Sequence, residues 1–143
     1  MTIPRGFRNN NPGNIRISDM PWRGKTPRQD NTDGAFEQFT SMAYGVRAMT
    51  ILLRTYIKRK KLDTIEKIIP VYAPATENDV ETYIQVVSLI SGLQRDAVID
   101  FTYDDMHRLV HAMVYHENGR ALPNGVFDKA WAMLFPNSKE ATT

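Results

Sequence analysis

The sequence predicts a single, mainly α-helical domain with a small β element near its N-terminus. Its 143 residues are the length of one domain. After residue 41, apolar residues recur at the three/four spacing of helices, whereas residues 5–40 are rich in turn formers and contain only short alternating runs. No repeat or linker divides the chain, so residues 1–143 are predicted to form one domain. The polar residues 137–143 are predicted to be a disordered tail.

The N-terminal segment contains the predicted β element. Pro12-Gly13 and the surrounding asparagines are strong turn formers. The alternating residues 15–18 and 35–39 are predicted to pair as a small sheet across a polar loop.

Start and stop signals divide the rest of the chain into helices. Ser41 is the predicted N-cap of a helix that ends in the basic run 58–61. A short helix over 65–69 is predicted to end at Pro70. Thr76 or Asn78 is the predicted cap of a helix over 80–91, which Gly92 ends. A helix that closes with Glu117 and a last helix over 126–135 complete the prediction.

Composition excludes several kinds of site. The chain has no cysteine, which rules out disulfides, thiolate zinc sites and cysteine nucleophiles. His107 and His111 lie one turn apart, but the Glu of a zinc-protease helix does not follow the first of them, so we expect no metal and no cofactor. A net charge of +2 suits an acidic polymer, either cell wall or nucleic acid, without choosing between them.

Neither a signal peptide nor a membrane span is predicted from the sequence. The first residues lack the apolar run of a leader, and no apolar stretch is long enough to cross a bilayer. We therefore expect the protein to be made in the host cytoplasm. If it acts in the periplasm or at the cell wall, we expect a holin or a virion to deliver it.

Glu117 is the first candidate for chemistry. It follows Val110, Met113 and Val114 on one helix face, and Asn118-Gly119 are typical of the end of a helix. A carboxyl group at the end of an apolar face is poorly hydrated and therefore suited to act as a general acid. The alternative interpretation is an ordinary last-turn Glu that faces water.

Carboxylate chemistry is what remains once other site types are excluded. The sequence has no phosphate-binding glycine loop and no serine-hydrolase elbow. Glycosidic bond cleavage requires little besides carboxyl groups, and Glu117 would protonate the glycosidic oxygen. The candidates for a second carboxylate are Asp30, Asp33, Glu77 and Asp79.

Polar and aromatic residues elsewhere are candidates for binding sugar. Asn11 and Asn14 belong to an amide-rich loop that could hydrogen-bond hydroxyl groups. Trp22 could stack on a sugar ring, although most aromatic residues here are expected to be core. The polar loop 72–79 adds Glu77 and Asn78 as candidate substrate-binding residues.

Six segments, spread in order over most of residues 5–119, carry a resemblance to known proteins. They are Arg8-Asn9-Asn10-Asn11-Pro12-Gly13-Asn14-Ile15-Arg16, Trp22-x-Gly24, Phe36-x-x-Phe39, Gly45-Val46-Arg47-Ala48, Tyr72-Ala73-Pro74-x-x-Glu77-Asn78-Asp79-x-x-x-Tyr83-Ile84 and His116-Glu117-Asn118-Gly119. On these segments the chain resembles small phage and prophage proteins that are described as virion structural proteins or peptidoglycan-degrading enzymes.

A wider resemblance is to the lysozyme-like superfamily, particularly glucosaminidases and lytic transglycosylases. In those enzymes a helix that ends in the catalytic Glu precedes an Asn-rich segment, a Phe-x-x-Phe strand and a Tyr-Ala loop. Here the later pieces match residues 10–16, 36–39 and 72–73, but the Glu-bearing helix comes near the C-terminal end. The resemblance implies a circularly permuted lysozyme-like domain with Glu117 as the catalytic acid/base and Tyr72 as the active-site tyrosine.

The expected function is therefore a phage-derived peptidoglycan glycosidase, of muramidase or lytic transglycosylase type. Its expected partner is the glycan strand of peptidoglycan, with no nucleic acid and no membrane insertion. The alternative is a non-catalytic virion structural protein that binds cell-wall glycan or other phage proteins. A nucleic-acid binder would rest only on the basic residues 58–61 and ranks last.

Overall fold

A computed structural model describes residues 2–74, 76 and 78–136 of the chain. As predicted, this part is mainly helical; it contains six α-helices, of which the short first one was not predicted. They are α1 (Arg5–Arg8), α2 (Met42–Arg54), α3 (Ile65–Tyr72), α4 (Val80–Ser91), α5 (Tyr103–Asn118) and α6 (Val126–Leu134). A π-helical turn, Thr55–Arg59, continues α2, and Arg28–Asp30 form a short 3₁₀ turn. The predicted disordered tail, 137–143, lies outside the described residues.

Local start and stop signals set most helix ends. The Ser41 hydroxyl accepts a hydrogen bond from the Tyr44 N–H and begins α2, which confirms the predicted cap. Gly92 and Gly119 have φ values of 75° and 72° and end α4 and α5 in the left-handed conformation, as predicted.

Two helix ends differ from the prediction. α3 continues through Pro70 to Tyr72, so the expected end at Pro70 was wrong. Proline removes one helical N–H, but the turn that follows still closes, because the Ala73 N–H donates to the Ile69 carbonyl at 2.8 Å. Asp79, rather than Thr76 or Asn78, caps α4, because its side chain accepts from the Thr82 N–H at 3.0 Å.

α5 is the central helix of the domain. It packs against α4, α2 and the short α1, while α2 also packs against α6, and α3 against α4. The inward face of α5 is fully buried, which removes its apolar side chains from water and stabilises the arrangement. Its fully buried residues are Met106, Leu109, Val110, Ala112, Met113 and Val114.

The predicted small β element is not present as a sheet. In the described residues, one isolated antiparallel bridge, Arg16 with Phe36, joins its two segments, and a second, Lys25 with Phe39, joins residues 35–39 to the intervening loop. The pairing cannot extend because Asn14 turns the chain with a φ of 50°, and because the Ser18 N–H donates to the Glu37 carboxylate instead of to a strand.

None of the helices in the described part of the chain is both long and apolar enough to cross a membrane.

Candidate active-site cleft

A cleft of about 520 Å³ opens where the N-terminal loop meets the ends of three helices. The loop forms one wall, the C-terminal part of α2 with the end of α3 forms another, and the last turn of α5 closes the cleft. Its lining residues are Arg5, Asn14, Ile15, Arg16, Phe36, Leu52, Tyr56, Val71, Tyr72, Ala73, Pro74, Asn78 and Glu117. The structure thus brings Glu117, Tyr72, Asn14 and Asn78, all predicted from the sequence, into one site.

Glu117 is held from two sides at the edge of this cleft. Its Oε1 accepts a hydrogen bond from Asn14 Nδ2 at 2.9 Å. Its Oε2 accepts one from the Tyr83 hydroxyl at 2.8 Å. The residue is half-buried, so its carboxyl group is fixed in direction while it still lines the cleft.

The loop that carries Asn14 is fastened to the end of α5. Asn118 Nδ2 donates to the Pro12 carbonyl at 2.8 Å and to the Val114 carbonyl at 2.9 Å. Asn14 itself has a φ of 50°, a conformation that Asn adopts more readily than most residues. Its Oδ1 is buried and has no hydrogen-bond partner within the described part of the chain. The amide therefore serves Glu117 through its nitrogen and leaves an acceptor unsatisfied beside the carboxylate.

Tyr72, at the end of α3, ties the same loop to the cleft wall. Its hydroxyl donates to the Gly13 carbonyl at 2.6 Å. Burial, followed by the charges of Glu117 and Tyr56, raises the pKa of Tyr72 well above its usual value. The phenol therefore keeps its proton at neutral pH and can act as a hydrogen-bond donor or a contact surface, but not as a base.

Tyr83 is a member of the site that the sequence analysis did not name as a candidate site residue. It is fully buried on α4, and its ring packs on His116 with centroids 4.0 Å apart. Burial and the Glu117 charge raise the pKa of Tyr83 well above its usual value, so it is a stable donor to the carboxylate. The available signal was its hydroxyl group, since a tyrosine buried on an apolar face must find a hydrogen-bond partner.

Two predicted substrate-binding residues lie away from the cleft surface. Asn11 is fully buried, and its Nδ2 donates to the Ile15 and Glu37 carbonyls at 2.9 Å each. Its Oδ1 accepts from the Ile15 N–H, so the whole amide is used to hold the loop in shape. Trp22 is only 8% exposed and belongs to the hydrophobic core. Asn11 and Trp22 therefore have structural roles instead of the predicted contact with sugar. Glu77, another predicted substrate-binding residue, lies outside the described residues.

Among the lining residues that the structure describes, Glu117 is the only one with a carboxylate. Asp33 is used elsewhere, because it accepts from Asn9 Nδ2 at 3.0 Å and from the backbone N–H groups of residues 35 and 36. Asp79 caps α4, and Asp30 belongs to the exposed 3₁₀ turn. Asn78, which lies between Glu77 and Asp79 in the sequence, lines the cleft.

Two arginines, Arg5 and Arg16, are also among the residues that line the cleft. The guanidinium groups of Arg5 and Arg16 both lie 4.8 Å from the centre of the Phe36 ring. In the described ranges, no group of three or more His, Asp or Glu side chains is placed to hold a metal ion. The described lining of this cleft is thus suited to proton transfer by one oriented carboxyl group.

Comparison with known proteins gives the chain a family. No family model matches it. It is 39% identical over 119 residues to protein P5 of Pseudoalteromonas phage PM2, a match that covers 80% of this chain and 71% of that protein. The predicted link to bacteriophages is confirmed by this relative. The chain belongs to the same family as protein P5 of phage PM2.

Proposed function

We propose that the cleft binds a glycan strand of peptidoglycan and that Glu117 cleaves a glycosidic bond in it as general acid/base. The observation that carries this proposal is the double support of the Glu117 carboxyl group by Asn14 and Tyr83, at the edge of a cleft. A surface glutamate that merely ends a helix has no need of a buried tyrosine and a left-handed asparagine to fix its direction.

In the proposed reaction the carboxyl group of Glu117 donates a proton to the glycosidic oxygen. The bond between that oxygen and the anomeric carbon breaks, and the leaving sugar departs with a free hydroxyl group. Glu117, now a carboxylate, takes a proton from the attacking oxygen, which forms the new bond to the anomeric carbon. The attacking oxygen belongs to water in a muramidase, or to the substrate's own C6 hydroxyl group in a lytic transglycosylase.

A lytic transglycosylase acting after N-acetylmuramic acid is the form of the proposal that fits one carboxylate best. An internal hydroxyl group needs no second carboxylate to position water. Glu117 has no acidic neighbour in the described lining of the cleft. Glu77 stands next to the lining residue Asn78 in sequence and is the candidate second carboxylate for the hydrolytic form.

A circularly permuted lysozyme-like fold is part of the same proposal. The proposal is supported by the contacts that place the end of α5 against the Asn-rich loop, although the two are 103 positions apart in sequence. In the resembled enzymes the Glu-bearing helix leads directly into such a loop. Here the helix and the loop are not consecutive in the chain, but the hydrogen bond from Asn118 to the Pro12 carbonyl holds them next to each other.

The test compares the wild type with Glu117→Gln on purified peptidoglycan, with mass spectrometry of the products. Glutamine keeps the size of the side chain but cannot donate a proton, so we expect cleavage to fall by at least about a hundredfold. Glu66→Gln, at an exposed position on α3, is the matched control and should retain full activity. Anhydro-muramic ends would identify a transglycosylase, and reducing ends a hydrolase.

The same experiment separates the alternatives. No cleavage of any wall type by the folded wild type would refute the enzyme and favour a virion protein that only binds glycan or other phage proteins. Undiminished cleavage by Glu117→Gln would keep the enzyme and reject the site. Loss of water-dependent products alone in Glu77→Gln would identify Glu77 as a second carboxylate.

A further inference from the structure

A cluster of three arginines lies on α2 and the loop before it, outside the lining of the cleft. Arg47 and Arg54 are seven positions apart on α2, a spacing that returns side chains to the same side of a helix. Arg23 comes from the loop that packs on α2 at Tyr44. We call Arg23, Arg47 and Arg54 the arginine cluster.

Aromatic rings support the two outer members of the cluster. The Arg23 guanidinium lies 5.8 Å from the centre of the Tyr44 ring. The Arg54 guanidinium lies at the same distance from the Phe101 ring. Stacking of this kind restricts a guanidinium group without using its N–H donors. Within the described residues, stacking therefore leaves the N–H donors of both side chains available to a ligand.

Arg47, the central member, has an unsatisfied donor. The side chain is half-buried, and its Nε is shielded from solvent with no hydrogen-bond partner in the described part of the chain. Loss of hydration, followed by the charges of Arg23 and Arg54, lowers the pKa of Arg47. A shielded donor of this kind costs free energy unless a partner satisfies it.

Two arginines outside the arginine cluster, Arg95 and Arg108, have acidic partners. Arg95 pairs with Glu66 at 2.9 Å and with Glu81 at 2.6 Å, and Arg108 pairs with Asp104 at 3.2 Å. Within the described ranges, by comparison, no carboxylate forms an ion pair with a member of the arginine cluster. Among the described residues, the cluster is therefore a concentration of positive charge without a carboxylate counterion.

We propose that the arginine cluster is a binding site for a phosphate group. Guanidinium groups match phosphate oxygens through paired N–H donors, and a multiply charged anion would neutralise the repulsion among three neighbouring cations. The Arg47 Nε would gain the acceptor that it lacks. The site is independent of Glu117, because α2 turns Leu52 and Tyr56, rather than these arginines, toward the cleft.

The phosphate could be a free ion or the headgroup of a lipid, and two measurements distinguish these sources. The first follows thermal unfolding of the full chain in inorganic phosphate, against sodium chloride of equal ionic strength. The second measures sedimentation with vesicles of phosphatidylglycerol, against vesicles of phosphatidylcholine. Saturable stabilisation by phosphate alone indicates a soluble ligand, whereas selective binding to phosphatidylglycerol as well indicates a headgroup.

Arg47→Gln is the decisive variant, with Arg28→Gln at an exposed position as the control. We expect Arg47→Gln to weaken phosphate binding by roughly tenfold or more, since it removes a charge and its fork of donors. Without phosphate it should be at least as stable as the wild type, because an unpaired charge is gone, so a lost response would not reflect unfolding. Equal responses in phosphate and chloride, or an unchanged response in Arg47→Gln, would overturn the proposal.

Discussion

The hydroxyl group of Tyr83 donates a 2.8 Å hydrogen bond to Oε2 of Glu117, across 34 positions of sequence. It joins the buried face of α4 to the last turn of α5 and directs a carboxyl group along the edge of the cleft. Asn14 holds the other oxygen, so the direction of the carboxyl group depends on two separate elements. This relationship yields the first two predictions.

Tyr83→Phe should impair catalysis more than stability. The ring keeps its packing, while Glu117 Oε2 loses its donor, which costs about 1 kcal/mol of the free energy of unfolding. We expect kcat on peptidoglycan to fall by about tenfold, which corresponds to ~1.4 kcal/mol of activation free energy, with little change in KM. Tyr115→Phe, at an exposed position on α5, should change neither quantity. Equal losses in both variants would argue against a positioning role for Tyr83.

A pair of substitutions at Asn14 distinguishes the effect of its backbone conformation from the effect of the hydrogen bond that its side chain donates. Asn14→Ala places a Cβ-bearing residue without a local hydrogen-bonding group at a φ of 50°, whereas Asn14→Gly accepts that conformation. Alanine should therefore lower the free energy of unfolding by ~1 kcal/mol more than glycine does. Both variants should lose cleavage to the same extent, because both remove the donor to Glu117. Activity that followed stability instead would assign Asn14 a purely structural role.

Gly45→Ala should separate α2 from the Asn-rich loop. A Cβ at this position would lie 2.0 Å from the Asn10 carbonyl oxygen, so backbone must move to admit it. We expect a loss of about 3 kcal/mol of the free energy of unfolding, measured by chemical denaturation. Gly119→Ala has a φ of 72° but no atom within 4 Å of the new Cβ, so it should cost only ~1 kcal/mol. A smaller loss at Gly45 than at Gly119 would contradict the close approach seen in the structure.

Asp33 should make the stability of the N-terminal loop dependent on pH. The hydrogen bond from Asn9, the backbone N–H groups of residues 35 and 36, and the Arg5 charge together hold the pKa of Asp33 below the ordinary value of 3.8. Because the folded-state pKa is lowered, this stabilisation is complete above pH ~4 and is lost as the pH falls through the folded-state value.

We therefore expect Asp33→Ala to be less stable than the wild type by about 2 kcal/mol at pH 7. The difference should shrink progressively below pH ~4, where the wild-type carboxyl group is also protonated. Denaturation curves between pH 2 and pH 7 would measure it. Asp19→Ala, at a fully exposed side chain, is the control and should show no such trend. A difference that did not vary with pH would mean that the charge of Asp33 is unimportant.

Helix positions could be predicted because their signals are local. Ser41, Gly92 and Gly119 act on backbone groups within a few residues, so their effects are present in the sequence itself. The predicted end at Pro70 was wrong because a proline removes only one backbone donor, and the bond from the Ala73 N–H to the Ile69 carbonyl still closes the turn after it. The predicted small sheet was wrong because the Ser18 N–H donates to the Glu37 side chain and Asn14 turns the chain in the left-handed conformation. The backbone groups that a longer ladder needs are therefore not free to pair.

The sequence by itself determined the mainly helical class, most helix ends and the place of Glu117 at the end of an apolar face. Only the tertiary structure decided which residues share the cleft with Glu117. Asn14 and Asn11 have the same side chain three positions apart, yet one donates to Glu117 and the other is buried on backbone carbonyls. The role of Tyr83 could not be predicted either, because its apolar spacing predicts burial but not the partner of its hydroxyl group. Such partners lie far apart in the chain and are set by how helices pack, which no local pattern encodes.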